Sequence, residues 1–236
     1  MSEPAFRDIR FIYFDLDDTL LDHRSAQMNA LEKTLSEFDF LQGVSTDQFK
    51  TAYHHRNQQL WHQYNHGKIN QNELRYRRFA DTLKELGLDA ARFEEVESRY
   101  MHHYEHSWDW IPGADRVYEA VRQNLPTGIV TNGFAEIQHK KIRKFDLVKN
   151  GEQTIISEEV GYLKPHPGIF KYAVEQAGVE PGEVLYVGDS FNSDIEGGKR
   201  AGLRTAWFNP NPLEEKPPEA DLVFDDFEIL ANQLPV

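Results

Sequence analysis

The chain of 236 residues contains no cysteine. Disulfide bonds, thiolate metal ligands and a cysteine nucleophile are therefore excluded from its chemistry. Long apolar runs are missing as well, and no stretch approaches the roughly 18 consecutive apolar residues of a membrane-spanning helix. The N-terminal segment MSEPAFRDIR lacks the apolar core of a secretory signal, so we expect a cytoplasmic protein with no membrane partner.

Positive charge is in short supply. Lysine and arginine number 26 against 39 aspartates and glutamates, which gives a formal net charge of −13. Such a surface repels polyanions, so we expect no polymeric nucleic acid as a partner. A small anionic substrate is compatible with this charge, because a few cations or a metal ion can reverse the field inside a cleft.

Short apolar segments alternate with amphipathic ones along most of the chain. The apolar segments predict strands over 9–14, 127–131, 153–157, 183–188 and 203–208. The segments that follow them predict helices over 115–125, 135–145, 167–178, 192–202 and 225–234. Such alternation is typical of βαβ units, and strands covered on both faces read as continuous apolar runs. We therefore predict an α/β fold with a doubly wound, Rossmann-like parallel sheet.

One long segment interrupts this alternation. From residue 22 to residue 108 the sequence contains no convincing strand. Helical patterns fill the segment instead, over 25–38, 46–64 and 72–87. We interpret it as an all-helical cap domain inserted after the first strand, which would open and close over a site. The predicted domains are an α/β catalytic core of residues 1–21 and 109–236 and a helical cap of residues 22–108.

Polar residues follow several of the predicted strands. In open parallel sheets, ligands bind outside the carboxyl ends of the strands, so these residues are candidates for a site. They are Asp15, Asp17, Asp18, Thr19, Thr131, Asn132, Asp189, Ser190 and Asp194, together with Lys164 after a further strand-like segment. Carboxylates that meet at one sheet edge repel each other without a counter-charge. Mg²⁺ suits oxygen ligands beside a substrate phosphate, and Lys164 would add a second positive charge.

Each of these residues also has an ordinary structural explanation when it is considered alone. A single aspartate after a strand most often caps a helix or forms a turn, and we expect this of Asp18 and Asp22. Thr131 and Lys164 would also be unremarkable in isolation. The functional interpretation therefore depends on the ordered set and not on any one member.

The ordered set resembles the motifs of the haloacid dehalogenase superfamily of aspartate-nucleophile phosphohydrolases. DLDDTL (15–20) is similar to its first motif, TNG (131–133) to the second, Lys164 to the third and GDSFNSD (188–194) to the fourth. The helical insertion directly after the first motif is similar to the cap of the subfamily that carries its cap there. The resemblance covers nearly the whole chain.

A finer similarity connects the chain with the bacterial house-cleaning pyrimidine 5′-nucleotidases. It lies in TNGF (131–134), ISEEVGYLKPHPGIF (156–170) and LW-x-x-Y-x-x-G-x-I (60–69). His166 departs from the pattern, which has aspartate there, and we expect this to alter loop hydrogen bonding more than chemistry. The resemblance implies hydrolysis of a small phosphorylated metabolite, with a pyrimidine nucleoside 5′-monophosphate as the favoured substrate. The sequence leaves open whether the protein is a monomer or a small homo-oligomer.

The resemblance also implies the chemical roles of the first motif. Asp15 would attack phosphorus as the nucleophile and form an aspartyl-phosphate. Asp17 would protonate the leaving group and then deprotonate the attacking water. The Mg²⁺ ligands would be Asp15, Asp17 through its backbone carbonyl, and Asp189.

The remaining motif residues would bind the phosphoryl group or support the metal. Thr131 and Lys164 would contact phosphoryl oxygens, helped by backbone N–H groups near Leu16, Asp17 and Asn132. Asp194 would hold a metal-bound water or orient Lys164.

Other functions are kept as alternatives. The nearest is a phosphatase of a sugar phosphate or another small metabolite. A haloacid dehalogenase needs neither Mg²⁺ nor an acid at its second motif position, so Asp17 and Asp189 favour phosphate. A phosphonatase would need a Schiff-base lysine from the cap, where no lysine has a distinguishing context. A non-catalytic phospho-accepting signalling module would carry its aspartate after a middle strand, and a purely binding role is opposed by the complete motif set.

Histidines and aromatic residues of the cap allow two further interpretations. His62 and His66 have a spacing that could hold zinc, but Gly67 ends the helix there. We therefore favour pairing of the His66 ring with free helix carbonyls. At helical spacings, four aromatic residues would mostly form the cap's own core, with one or two left to stack on a nucleobase. They are Phe49, Tyr53, Trp61 and Tyr64.

Overall fold

The computed structural model describes residues 5–149, 152–210 and 220–235. The chain divides into two units, one of Met1–Asp22 with Trp110–Val236 and the other of His23–Asp109. The first unit is α/β and the second is helical. Within the described ranges, no helix is both long and apolar enough to cross a membrane.

The elements follow one another in the order that the sequence alternation predicts. The strands are β1 (Phe11–Phe14), β2 (Thr127–Thr131), β3 (Gln153–Ile156), β4 (Val184–Gly188), β5 (Arg204–Phe208) and β6 (Leu222–Phe224). The α-helices are α1 (His23–Glu37), α2 (Thr46–Asn65), α3 (Gln71–Glu85), α4 (Phe93–His106), α5 (Ala114–Asn124), α6 (Ala135–Lys144), α7 (Ser157–Val160), α8 (Pro167–Ala177), α9 (Glu196–Arg200) and α10 (Phe227–Ala231).

The six strands form one parallel sheet with the order β3-β2-β1-β4-β5-β6. The chain starts in the middle of this sheet, so β1 lies between β2 and β4. The crossover from one half of the sheet to the other places the ends of β1, β2 and β4 side by side. In open parallel sheets this switch point is where ligands bind.

Side chains of β1 alternate between two hydrophobic layers. Ile12 and Phe14 pack with α5, α6 and α10 on one face of the sheet. Phe11 and Tyr13 pack with α8 on the other face. Helices therefore cover both faces, which explains why the strand reads as a continuous apolar run. The predicted doubly wound α/β fold with an all-helical insertion is confirmed.

The helical unit consists of α1 to α4. Capping boxes begin α2 and α3, where Ser45 pairs with Gln48 and Asn70 with Glu73. The core of the unit is aromatic, and its largest fully buried rings include Phe49, Tyr53, Phe79 and Tyr100.

The aromatic residues that the sequence singled out in the cap fall into two groups. Phe49 and Tyr53 are buried in the core of the helical unit, whereas Trp61 and Tyr64 are partly exposed. The His66 ring lies 2.7 Å from the carbonyl oxygen of His62, through its Nδ1 atom. The expected pairing of His66 with a helix carbonyl is therefore present.

Four elements differ from the sequence-based expectations. Strand β6 and the helices α4 and α7 were not predicted, and β6 has only three residues, too few to show a period. The predicted helix over 192–202 begins as a π-helical turn, Phe191–Ile195, and continues as α9. The division into the predicted domains, with boundaries at residues 21/22 and 108/109, stays a prediction.

Candidate active site

Asp15 lies at the carboxyl end of β1, where its backbone N–H donates to the carbonyl of Val187 in the neighbouring strand at 2.8 Å. The chain then turns sharply. Leu16 is buried and its carbonyl accepts the N–H groups of Leu20 and Leu21, while Asp18 has a left-handed φ of 62°. Asp18 is thus a turn residue, as expected. The tight loop holds the Asp15 side chain, which is 8% exposed, at the sheet edge.

Lys164 is the buried cation of the site. Its Nζ atom lies 2.5 Å from Asp15 Oδ1 and 2.8 Å from Asp194 Oδ1. It also donates to the hydroxyl of Tyr186 at 2.9 Å and to the carbonyl of Val130 at 3.1 Å. With its side chain 3% exposed, this ammonium is held by groups from four different segments of the chain.

Asn132 holds the backbone of Lys164 in place. Its side-chain Oδ1 accepts the Lys164 N–H at 2.8 Å, and its Nδ2 donates to the Lys164 carbonyl at 2.9 Å. The loop after β2 is therefore fastened to the loop that carries the lysine. His166, at the position where the resemblance leads us to expect aspartate, caps α8 by accepting the N–H of Gly168 at 3.0 Å.

Asp189 and Asp194 complete a cluster of carboxylates with Asp15. One ligand oxygen from each lies within 4.8 Å of the other two. The Thr19 hydroxyl contacts Asp15 Oδ2 at 3.2 Å and Asp189 Oδ1 at 3.3 Å. Asp194 sits in the π-helical turn, a feature that is common at functional sites. Gly188 leaves room for it, because a Cβ atom at that position would lie 2.5 Å from Asp194 Oδ2.

Asp17 has a separate set of partners on α6. Lys141 Nζ lies 2.5 Å from its Oδ1 atom, and Gln138 Nε2 donates to its Oδ2 atom at 2.8 Å. Gln138 also donates to the Thr131 hydroxyl at 2.8 Å. The acid of the first motif and the threonine of the second are thus connected through one buried amide.

Charge and burial set the protonation behaviour of the cluster. Burial raises the pKa of Asp15 to about 7, although the Lys164 ammonium opposes the shift. Burial raises the pKa of Asp189 to about 8, and the charges of Asp15 and Asp194 act in the same direction. Burial disfavours the Lys164 cation, but the two neighbouring carboxylates outweigh it and hold the lysine pKa well above its usual value.

The cluster fits a divalent cation. Three carboxylates and one ammonium leave a charge of −2 when all are ionised, which a dication would neutralise. The donors are all carboxylate oxygens, the ligand type that Mg²⁺ prefers. In the described part of the chain, three side-chain ligands converge in this way only here.

The structure brings the predicted residues of all four motifs together. Direct contacts join Asp15, Lys164 and Asp194, Thr19 bridges Asp15 to Asp189, and Gln138 joins Asp17 to Thr131. The catalytic and metal-binding roles assigned to these residues stay predictions, as does the use of backbone N–H groups near Leu16, Asp17 and Asn132.

Four residues of the site were not assigned a role from the sequence. They are Thr19, Gln138, Lys141 and Tyr186. For two of them a signal existed, since Gln138 and Lys141 share the buried face of α6 with Ile137 and Ile142. A lysine and a glutamine inside an apolar helical stripe need buried partners.

Comparison with known proteins agrees with this geometry. A family model described as haloacid dehalogenase-like hydrolase matches residues 12–208. The pyrimidine 5′-nucleotidase YjjG of Escherichia coli is 34% identical over 87% of this chain and 88% of its own length. The pyrimidine 5′-nucleotidase PynA of Streptococcus pneumoniae is 32% identical over 87% and 86%. The magnesium-bound crystal structure of YfnB from Bacillus subtilis superposes with a TM-score of 0.80 at 31% identity, covering 97% of this chain and 99% of that one.

Proposed function

Because the chain belongs to the haloacid dehalogenase-like hydrolase family, we propose that it is a Mg²⁺-dependent phosphomonoesterase whose preferred substrates are pyrimidine nucleoside 5′-monophosphates. The observation that carries the reaction class is the arrangement of two acids. Asp15 lies in the carboxylate cluster against Lys164, while Asp17, two residues on, is held by Gln138 and Lys141 of α6. This difference in partners supports attack by Asp15 and proton transfer by Asp17.

The first step uses Asp15 as the nucleophile. A carboxylate oxygen of Asp15 forms a bond to phosphorus, the bond from phosphorus to the leaving oxygen breaks, and the leaving oxygen takes a proton from the Asp17 carboxyl. Lys164 favours the ionised form of Asp15 that this attack requires. The nucleoside leaves, and the phosphoryl group is carried by Asp15.

The second step reverses the role of Asp17. Its carboxylate takes a proton from a water molecule, the water oxygen attacks phosphorus, and the bond to Asp15 breaks to release inorganic phosphate. Thr131 and Lys164 would stabilise the phosphoryl oxygens in both steps.

Asp15 and Asp189 would hold Mg²⁺ through side-chain oxygens, with Asp194 beside them. When bound, the ion supplies positive charge that keeps the carboxylates ionised and offsets the charge of the phosphoryl group. The fit depends on the net charge of −2 and the all-oxygen donor set. The Asp17 backbone carbonyl remains the proposed third ligand.

The alternative functions, a dehalogenase and a phospho-accepting signalling module, are less well supported by the geometry. A halide leaves without a proton, so a dehalogenase would have no use for an acid held as Asp17 is held on α6. A phospho-accepting signalling module would keep its phosphoryl group, whereas Asp17 lies two residues from Asp15 and can activate water. The pyrimidine preference is supported by the names of YjjG and PynA.

The test is a hydrolysis screen over nucleoside monophosphates and sugar phosphates, with and without Mg²⁺, repeated on Asp15→Asn. We expect Mg²⁺-dependent phosphate release that is fastest with pyrimidine nucleotides, and a loss of at least about a thousandfold in the variant, because the attacking anion is gone. Asp115→Asn is the matched control, since Asp115 is exposed in the first turn of α5.

Each part of the proposal can fail separately. Full activity of Asp15→Asn would contradict the proposed role of Asp15 as nucleophile. Activity without any divalent cation would contradict the proposed requirement for Mg²⁺. A preference for sugar phosphates over nucleotides would keep the reaction class and replace the substrate. A stoichiometric phosphoprotein without turnover would point to a signalling module instead.

A further inference from the structure

Two polar side chains of α6 are buried where an amphipathic helix normally carries apolar ones. Gln138 and Lys141 are each 1% exposed and lie three residues apart, next to the buried Ile137 and Ile142. Burying an ammonium or an amide costs free energy unless each finds a partner. Both side chains reach into the candidate active site for theirs.

Lys141 and Gln138 donate hydrogen bonds to the two carboxylate oxygens of Asp17. The distances are 2.5 Å from Lys141 Nζ to Asp17 Oδ1 and 2.8 Å from Gln138 Nε2 to Asp17 Oδ2. Because both donors come from successive turns of one helix, they fix the plane of the carboxylate as well as its position. The Asp17 side chain is 26% exposed, so it is held firmly while a part of it stays accessible.

Gln138 also contacts the second motif, at Thr131. Its amide donates to the Thr131 hydroxyl oxygen at 2.8 Å. A hydroxyl that accepts a hydrogen bond here keeps its own hydrogen for another acceptor. Thr131 is buried at the end of β2, so its hydroxyl hydrogen would be available to a phosphoryl oxygen in the proposed reaction.

Stability alone does not explain these two residues. An ion pair that is largely buried can often be replaced by apolar side chains with no loss of stability. Gln138 Oε1 is also buried without a hydrogen-bond partner among the described residues, which is a cost. The amide fits there only because residue 133 is a glycine, since a Cβ atom at that position would lie 2.0 Å from Gln138 Nε2.

We infer that Lys141 and Gln138 are positioning residues for proton transfer, Lys141 by holding the Asp17 carboxyl toward the leaving oxygen and Gln138 by joining that carboxyl to the Thr131 hydroxyl. The inference rests on the proposed function. It concerns the step in which the bond from phosphorus to the leaving oxygen breaks while that oxygen takes the proton of Asp17. Neither positioning residue exchanges a proton in this step.

The test compares two leaving groups in Lys141→Met. A nucleoside alkoxide is a strong base and needs a proton as it leaves, whereas p-nitrophenolate is a weak base and leaves without one. If Lys141 positions the acid, kcat/KM should fall roughly tenfold or more for uridine 5′-monophosphate and less than about threefold for p-nitrophenyl phosphate. The ratio of the two losses does not depend on the fraction of folded protein.

Two further variants separate positioning from a general defect. Lys144→Met is the matched control on the exposed side of the same helix and should change both values less than about twofold. Gln138→Leu should lower kcat/KM for both substrates and weaken inhibition by inorganic phosphate, because it also releases Thr131. Lys141→Met should leave that inhibition within about twofold.

The outcomes are distinguishable. Equal losses on the two substrates in Lys141→Met, or no loss on either, would overturn the positioning role of Lys141. An unchanged Gln138→Leu variant would overturn the role of the amide. A parent enzyme that hydrolyses neither substrate would overturn the proposed function first, and the inference with it.

Discussion

Gly133 shows how closely one residue of the second motif is matched to its surroundings. A Cβ atom there would lie 2.0 Å from Gln138 Nε2 and 2.3 Å from Gln138 Cδ. Non-bonded carbon and nitrogen atoms do not come this close. Any side chain at position 133 must therefore displace the amide of Gln138. The amide in turn holds Asp17 and Thr131.

We predict that Gly133→Ala impairs catalysis much more than folding. The far end of Gln138 can rotate away, so the free energy of unfolding should fall by less than about 2 kcal/mol. Without the amide, Asp17 and Thr131 lose a shared partner, and kcat/KM for a nucleoside monophosphate should fall roughly tenfold or more. Urea unfolding and steady-state kinetics measure the two effects.

Gly182→Ala is the matched control for this change, because a Cβ atom at position 182 meets nothing within 4 Å. It should leave both quantities unchanged. A Gly133→Ala enzyme with parental activity would mean that the Gln138 amide is not needed in the place where the structure has it.

At the scale of elements, the site depends on how α9 and the π-helical turn before it pack on α8. Gly197 in α9 faces the ring of Phe170, which is fully buried in α8. A Cβ atom at position 197 would lie 2.6 Å from Phe170 Cε2 and 3.1 Å from Pro165 Cβ. The close approach of these elements sets the distance between Asp194 and Lys164, which flank the contact in the sequence.

Gly197→Ala should therefore destabilise the protein, although alanine favours a helix over glycine by about 1 kcal/mol. The Phe170 ring is fully buried, and overpacking against such a ring costs typically 1–3 kcal/mol. We expect a net decrease of about 1–2 kcal/mol in the free energy of urea unfolding. An increase, as helix propensity alone would produce, would show that the contact can relax.

At the scale of the whole molecule, the site concentrates a part of a large negative charge. The chain carries −13 overall, and the cluster of Asp15, Asp189, Asp194 and Lys164 carries −2 when ionised. Without a cation, folding must bring these carboxylates together against their repulsion. The pKa values of Asp15 and Asp189 are raised first by burial, and the charges of the neighbouring carboxylates act in the same direction.

The metal-free protein should lose stability as the pH rises from about 4 to about 8. An unfolded aspartate titrates near 3.8, whereas Asp15 and Asp189 titrate near 7 and 8 in the fold, so over this range the folded state binds more protons. The contribution of these two groups is thus present at low pH and lost as the pH rises through their folded pKa values.

Mg²⁺ should restore this stability most strongly at high pH. At pH 6 protons compete for Asp15 and Asp189, so the apparent affinity for Mg²⁺ should be at least about tenfold weaker than at pH 8. Thermal unfolding with and without Mg²⁺ at both values measures the effect. An equal rise in Tm at pH 6 and pH 8 would contradict a metal site on these carboxylates.

The fold and the motif residues were predictable because both leave local traces in the chain. Strands such as β1 and β4 are continuous apolar runs, and their last residues pass directly into Asp15 and Asp189. In a parallel sheet the ends of adjacent strands must meet, so residues far apart in sequence could be assigned to one edge. Strand β6 was not predicted, because its three residues are too few to show a period of hydrophobicity.

The residue types at the strand ends predicted a cation site, since aspartates after two strands need a counter-charge, and the resemblance of the ordered motifs to the family implied a phosphate substrate. The partners of each acid do not follow from that order. Lys164 joins Asp15 and Lys141 joins Asp17 because the sheet and α6 bring them within 2.5 Å, across separations of 149 and 124 residues. Which lysine meets which carboxylate depends on the packing of helices onto the sheet, and local sequence does not encode a distance between elements.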